Sequence, residues 1–347
     1  MKNKKNEKKE QKKKNIKKKK MVIKILMIIL IIILCLIGIF VYKTYKNGWG
    51  LKGLVSTVVG HDASKLENLD EIQFLLLGDN QGLTDSIMIC SYDPKTQEAS
   101  MLSIPRDTFI GKNKKKARAA DKINSLYQGG NTDAIIKAVN ELTGLDIKYY
   151  VVVETDALIE LVDAIGGVNF NVPIDMKYDD PAQDLHINLK AGEQLINGEK
   201  AEQLLRFRHN NNGTSYSYEY GDNDYGRMRT QREFITAAIS QTLKVSNILK
   251  ITEFLDIVKK NVKTNMDFNI IKDYIPYVVE FSTENLKTGV LPGQSEKCNE
   301  VWVFIHDKEE SEKLIQELFF GVEQEEQTNE IETNETNASN KVNTTKK

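Results

Sequence analysis

Apolar and polar positions change rhythm sharply along this chain. Residues 21 to 42 read MVIKILMIILIIILCLIGIFVY, apolar or aromatic apart from Lys24. A helix of about 20 apolar residues spans the hydrocarbon core of a bilayer. Tyr42, Tyr45 and Trp49 follow as interfacial anchors, where a cleavable signal would show small residues. From Glu71 the pattern turns to short buried runs. IQFLLLG predicts a strand ending at Gly78, Ser86 to Tyr92 a second, and EASMLSIP a third that stops at Pro105. Asp93-Pro94-Lys95-Thr96 predicts a hairpin-type turn between the last two. The spacing of Ile135, Ile136, Val139 and Leu142 predicts a helix from Asn131 to Thr143, stopped by Gly144. A strand over Tyr149 to Val153, an amphipathic helix over Asp156 to Ile165 and a strand over Val168 to Val172 follow. Long helices are predicted over 224–243 and 248–262 and a further one over 270–281, then a final strand and a closing helix. Strands alternating with helices make an α/β layered domain from about 70 to 320.

The chain thus divides into a Lys-rich tail over 1–20, a transmembrane helix over 21–42, a tether over 43–70, an outer domain over 71–321 and a polar tail over 322–347. That last stretch has almost no apolar residues and is expected to be disordered. The net charge of -1 over 347 residues conceals an asymmetry, because Lys crowds the first twenty positions and the remainder is acidic. Lys directly before an apolar span predicts a cytoplasmic N-terminus with the bulk of the chain outside. The plain alternative, a nucleic-acid-binding tail, accounts less well for its place against the membrane span, where it also attracts anionic lipid. Cys35 lies in the span; Cys90 and Cys298 leave a pairing open, with two unpaired thiols as the plainer reading. Four His without CxxC or HExxH give no zinc signature.

Three clusters carry candidate chemistry. Asp79 and Asp85 stand at adjacent strand ends, where two carboxylates suit a hard cation such as Mg²⁺; turn chemistry is the plain alternative. Arg106, Asp107 and Thr108 follow the third strand, and taken alone Arg106-Asp107 reads as a surface ion pair. In Arg206-Phe207-Arg208 an extended backbone puts both guanidiniums on one side, with His209 following. Arg227 and Gln231, four apart, share a helix face, and Asp224 is placed to cap that helix. Arginine holds phosphate bidentately, so together the clusters point to a phosphate site.

These residues fall in stretches that resemble the LytR-CpsA-Psr family of bacterial cell-wall enzymes: FLLLGDN at 74–80, TDSIMICSYDPKT at 84–96, SIPRDT at 103–108, KIN at 122–124, YYVVVETDALIELVDAIGGVNFNVP at 149–173, LKAGEQLINGEKAEQLLRFRH at 189–209 and DYGRMRTQREF at 224–234. The resemblance implies a three-layer α/β/α sandwich with a mixed central sheet and an apolar pocket for a prenyl chain. It implies a phosphotransferase that moves an anionic glycan (teichoic acid, capsule or another secondary wall polymer) from a polyprenyl-pyrophosphate carrier onto peptidoglycan. By the same resemblance Asp79 and Asp85 bind the metal, Mg²⁺ or Mn²⁺. Arg106, Lys122, Arg206, Arg208, Arg227 and Gln231 hold the pyrophosphate, and Asp79, Asp85 and Arg106 are catalytic. Leu83 and Thr230 stand where relatives often carry Arg, with Arg229 and Arg232 nearby as substitutes. The competing expectations are a lipid-pyrophosphate binding protein without turnover and an envelope regulator. Direct DNA binding has no helix-turn-helix signature behind it, and hydrolysis of the pyrophosphate by water is a side reaction open to the same site.

Overall fold

The computed structural model describes residues 2–60, 69–80 and 82–321. The polar tail expected over 322–347 lies outside them. Helix α1 (Lys2–Lys46) contains the apolar run, and its stretch Lys17–Lys46 is long and apolar enough to cross a membrane. Its large side chains from Met21 to Tyr42 are exposed. A short helix α2 (Gly50–Val58) follows, in a stretch expected to be a tether. Val55 and Val59 are buried in a cluster with Ile248, Leu255, Ile275 and Val279, so this segment is packed onto the domain. Its apolar positions Leu51, Leu54 and Val55 are spaced for one helix face.

The central sheet has six strands in the order β10-β3-β2-β1-β4-β9. These are β1 (Ile72–Asn80), β2 (Leu83–Asp93), β3 (Glu98–Ser103), β4 (Tyr149–Glu154), β9 (Val262–Thr264) and β10 (Leu286–Val290). β2 runs antiparallel to β1 and β3, whereas β1–β4 and β3–β10 are parallel, so the sheet is mixed. One face, with Leu75, Leu77, Ile87, Ile89 and Leu102, packs on α3 (Thr132–Thr143) and α10 (Lys308–Phe319) through Ile135, Val139, Ile315 and Leu318. The other face, with Phe74, Leu76, Met88 and Met101, meets Ile235 of α6 (Asn223–Thr242). Period-two alternation within each strand divides the side chains between the two helical layers. The result is the α/β/α sandwich.

Helix α4 (Thr155–Ala164) leaves the end of β4 directly, and α5 (Gly198–Arg206) packs against it. Two hairpin-like ribbons, β5 (Val168–Val172) with β8 (Gly192–Ile196) and β6 (Met176–Asp180) with β7 (Leu185–Leu189), share a second core with α5 and α6. The layer is completed by α7 (Val245–Ile248), α8 (Ile251–Asn261) and α9 (Phe268–Val278), and a ribbon of β11 (Gly293–Cys298) and β12 (Val301–His306) precedes α10. Cys90 and Cys298 are both free and buried.

Candidate functional site

The parallel strands β1, β3 and β4 all end on one edge of the sheet, and β2 begins there. Crevices outside the carboxyl ends of parallel strands are where α/β folds place ligands. Here that edge gathers Asp79 and Asn80 from β1, Asp85 from β2, Glu154 from β4 and Arg106 just past β3. The β1–β2 register slips between Gly78 and Asp79, a bulge that re-aims the following side chain. A Cβ on Gly78 would stand 3.1 Å from the Ser86 Cβ, so glycine keeps the two strands closed at this point. The buried Asp79 carboxylate accepts hydrogen bonds from the Gly82 N–H at 2.7 Å and the Tyr127 hydroxyl at 2.8 Å. Burial, together with that bond to Asp79, raises the Tyr127 pKa and keeps its proton in place as a donor.

The arginines converge on this edge. Arg106 is paired with Asp85 and lies 3.5 Å from Asp224. Arg208 Nε stands 2.5 Å from Asp224 Oδ1, and Arg227 Nη2 stands 3.3 Å from the same oxygen. Arg227 also donates to the Asp85 carbonyl at 3.3 Å. Asp224 is therefore the hub of the cluster. It lies in the first turn of α6, and Asp222 occupies the N-cap position that was expected for it. Gly226 lets this turn approach the preceding loop, because a Cβ there would sit 2.2 Å from the Gly221 carbonyl oxygen. Burial works to raise the Asp224 pKa, but Arg227, Arg106 and Arg208 together hold it below its ordinary value. Arg227, only 3% exposed, is pushed down by burial against the pull of Asp224. Among the described residues no acceptor meets the buried Nε of Arg227. A buried N–H left unmatched is costly, and an anion entering the cluster would satisfy it.

Arg206 ends α5 rather than lying in an extended segment. It pairs with Glu202 at 2.7 Å and donates to Gln183 at 3.3 Å. Phe207 between the two arginines is wholly buried, which turns both outward. Gln231 on α6 donates to the Leu205 carbonyl and accepts from Ser86, tying α5 and β2 together at the site. Lys122 is not brought into the cluster: it is paired with Asp107 at 3.1 Å, and neither residue lines the site's cavities. The substitutes considered for Thr230 also turn elsewhere. Arg229 pairs with Glu233 and stacks on Tyr220, and Arg232 donates to Ser103 Oγ and the Met228 carbonyl. Burial lowers the Arg232 pKa to about 10. Thr230 itself is buried beside the Tyr220 hydroxyl, and Leu83 is exposed.

Two cavities meet here. The larger, about 450 Å³, runs between α4 and α6 and is walled by side chains such as Leu158, Val162, Phe234, Ile235, Ile239 and Phe254. A smaller one of about 130 Å³ is polar, with Arg106, Arg206, Arg208 and Arg227 on its walls. Asn80, Asp85, Arg206 and Arg227 line both, so an oily tunnel opens directly into an arginine cradle. Asp79 and Asp85 both line the tunnel at this junction, whereas among the described residues no group of three or more His, Cys, Asp or Glu could hold a metal by itself. Two carboxylates nonetheless fit Mg²⁺, which typically takes one or two of them and completes its shell from substrate phosphates and water. Their oxygens keep lone pairs beyond those already accepting hydrogen bonds.

The family model described as the LytR_cpsA_psr family matches residues 43–319. The chain is 27% identical over 303 residues to the polyisoprenyl-teichoic acid–peptidoglycan teichoic acid transferase TagU of Bacillus licheniformis, covering 82% of this chain and 92% of that one. The crystal structure of TagV from B. subtilis shares the fold with a TM-score of 0.59 at 26% identity, over 72% of this chain and 97% of that one. A structure of TagT bound to LIIa-WTA also shares it, with a TM-score of 0.55 at 23% identity, over 73% of this chain and 92% of that one.

Proposed function

The chain belongs to the LytR_cpsA_psr family, and from that premise we propose that it transfers an anionic wall glycopolymer from a polyprenyl-pyrophosphate carrier to peptidoglycan. The observation that carries this reading is the shared mouth of tunnel and cradle. An apolar cavity suits a prenyl chain and a cluster of guanidiniums suits a pyrophosphate, so a lipid-linked pyrophosphate would use both at once. TagU of Bacillus licheniformis is named a polyisoprenyl-teichoic acid–peptidoglycan teichoic acid transferase. In this reading the N-terminal helix anchors the enzyme, the Lys-rich tail keeps the N-terminus in the cytoplasm, and the domain works outside.

Phosphoryl transfer is mostly positioning and charge neutralisation. Arg106, Arg206, Arg208 and Arg227 hold the pyrophosphate oxygens, and Gln231 fixes the spacing between α5 and β2. A sugar hydroxyl of peptidoglycan attacks the glycan-side phosphorus; the new phosphodiester forms as the bond to the bridging oxygen breaks, and polyprenyl phosphate leaves. Asp79 and Asp85 would hold a Mg²⁺ or Mn²⁺ ion, which would supply further neutralisation of the pyrophosphate charge. Tyr127 and the Gly82 N–H hold the Asp79 carboxylate in place.

The test is transfer by the purified protein from a lipid-linked donor to a glycan acceptor, with and without EDTA. Wild type is expected to release polyprenyl phosphate and label the acceptor. Arg106→Ala should lose about 10²-fold or more in rate, the magnitude typical for removing one charge-stabilising donor. An Arg106→Ala protein that ligates at full rate would refute the reading. Donor binding without any transfer would favour a carrier protein instead.

A further inference from the structure

One side chain in the arginine cradle is an imidazole. His209 lines the polar cavity together with Asp85, Arg106, Arg206, Arg208 and Arg227. Its Nδ1 lies 3.0 Å from the backbone carbonyl oxygen of Asn210. A carbonyl only accepts, so Nδ1 carries a hydrogen and the neutral ring has its lone pair on Nε2. The ring is also held from the side: Tyr178 of β6 packs edge-on at a centroid distance of 5.5 Å and an interplanar angle of 89°. The backbone is pinned by a bridge between His209 and Ser215. A tautomer set by the Asn210 carbonyl, a ring held by Tyr178 and a place in the guanidinium-lined cavity are features that general-base catalysis uses.

We propose that His209 Nε2 is the general base that takes the proton from the acceptor hydroxyl during transfer. This rests on the pyrophosphate reading above. As the hydroxyl oxygen bonds to the glycan-side phosphorus, its proton passes to Nε2. The bond from that phosphorus to the bridging oxygen breaks, and its electron pair leaves with polyprenyl phosphate. Charge balances within the site, since the imidazolium formed is matched by the phosphate released, and no further reactant is needed. The charged groups lining the same cavity are the guanidiniums of Arg106, Arg206, Arg208 and Arg227 and the carboxylate of Asp85, and Tyr178 packs against the ring. Asp224 is paired with Arg208. Asp85 is paired with Arg106, and Asp224 with the arginine hub. Imidazole is also the side chain whose proton exchange is best matched to near-neutral pH.

The full-length protein in detergent, with lipid-linked pyrophosphate donor, glycan acceptor and Mg²⁺, tests this by comparing His209→Gln with wild type across pH. Glutamine keeps hydrogen-bonding capacity but cannot take the proton. The expected result is a fall in kcat of about 10²-fold or more, with donor KM within a few-fold and the acidic limb of the wild-type profile abolished. His209→Ala should regain rate on addition of free imidazole. Equal kcat and an unchanged profile in His209→Gln overturn the proposal. So does a loss expressed wholly as weaker donor binding, because that marks a structural role. Should wild type bind the donor and transfer nothing, the pyrophosphate-transfer reading fails first, which separates the two failures.

Discussion

At the scale of single residues, the site works by gathering like charges around one carboxylate. Asp224 touches Arg106, Arg208 and Arg227, and its low pKa records their combined pull against burial. Without it the guanidiniums would repel one another in a partly dry cavity. Asp224→Asn should therefore lower stability by about 2 kcal/mol, below the loss for a fully buried pair because Arg106 and Arg208 retain contact with water. Urea unfolding at neutral pH measures this. The pH dependence follows from the sign of the shift. The folded pKa of Asp224 lies below the unfolded value of about 3.9, so its contribution is complete above that value and is lost as pH falls through the folded pKa. Acid unfolding below about pH 4 should thus be less steep in Asp224→Asn than in wild type. That Asp79, Asp85 and Arg106 share one sheet edge was legible from their strand-end positions, and the structure brings Arg206, Arg208, Arg227 and Gln231 to the same edge from α5, the segment after it and α6. Asp224 was misread as a cap because a helix start explains an acid locally, and only the fold reveals three arginines around it. Lys122 was misplaced for the opposite reason: its ion pair with Asp107 is a tertiary contact that spacing does not disclose.

At the scale of elements, the tunnel depends on the α4–α6 separation. Ala238 lies on its wall, next to the larger Phe234, Ile235 and Ile239. Ala238→Trp should fill the passage and exclude part of the prenyl chain. Displacing two methylene groups costs about 1.6 kcal/mol, so KM for a long-chain donor should rise more than tenfold. A donor with a short prenyl chain should be used almost as well as by wild type, and comparison of the two donors is the measurement. The strands β1 to β4 and the helices α3, α4, α8 and α9 were legible because their apolar periods are strong. The segment from 173 to 209 was not, apart from its arginines. β6 reads MKYDD and β8 reads GEQLI, short and polar-rich, and their inward side chains find burial only against α5 and α6. Helix α5 is only 9 residues long, so the one face formed by Ala201, Leu204 and Leu205 ends before its period can stand out from the polar ribbons before it.

At the scale of the whole molecule, the anchor and the domain are joined by packing. Val55 and Val59 of the α2 region are buried against α8 and α9, and Gly53 accepts the close approach of the Thr44 carbonyl, 2.6 Å from where a Cβ would stand. A chain starting at residue 43 should leave the membrane and keep the melting temperature of the full protein. One starting at residue 61 forfeits two buried valines, about 3 kcal/mol or more, and should unfold at measurably lower urea. The sequence showed the membrane span and the layered domain, but it presented this linking segment as a tether, because the partner surface of α2 lies about two hundred residues away in the chain.

The account stands on one conjunction: an oily tunnel and an arginine cradle occupied by one molecule. A crystal structure of the protein with polyprenyl pyrophosphate tests it most directly. The prenyl chain is predicted between α4 and α6, with the pyrophosphate against Arg106, Arg206, Arg208 and Arg227 and beside Asp79 and Asp85. Lipid bound on another face, or a pyrophosphate out of reach of those guanidiniums, would contradict it.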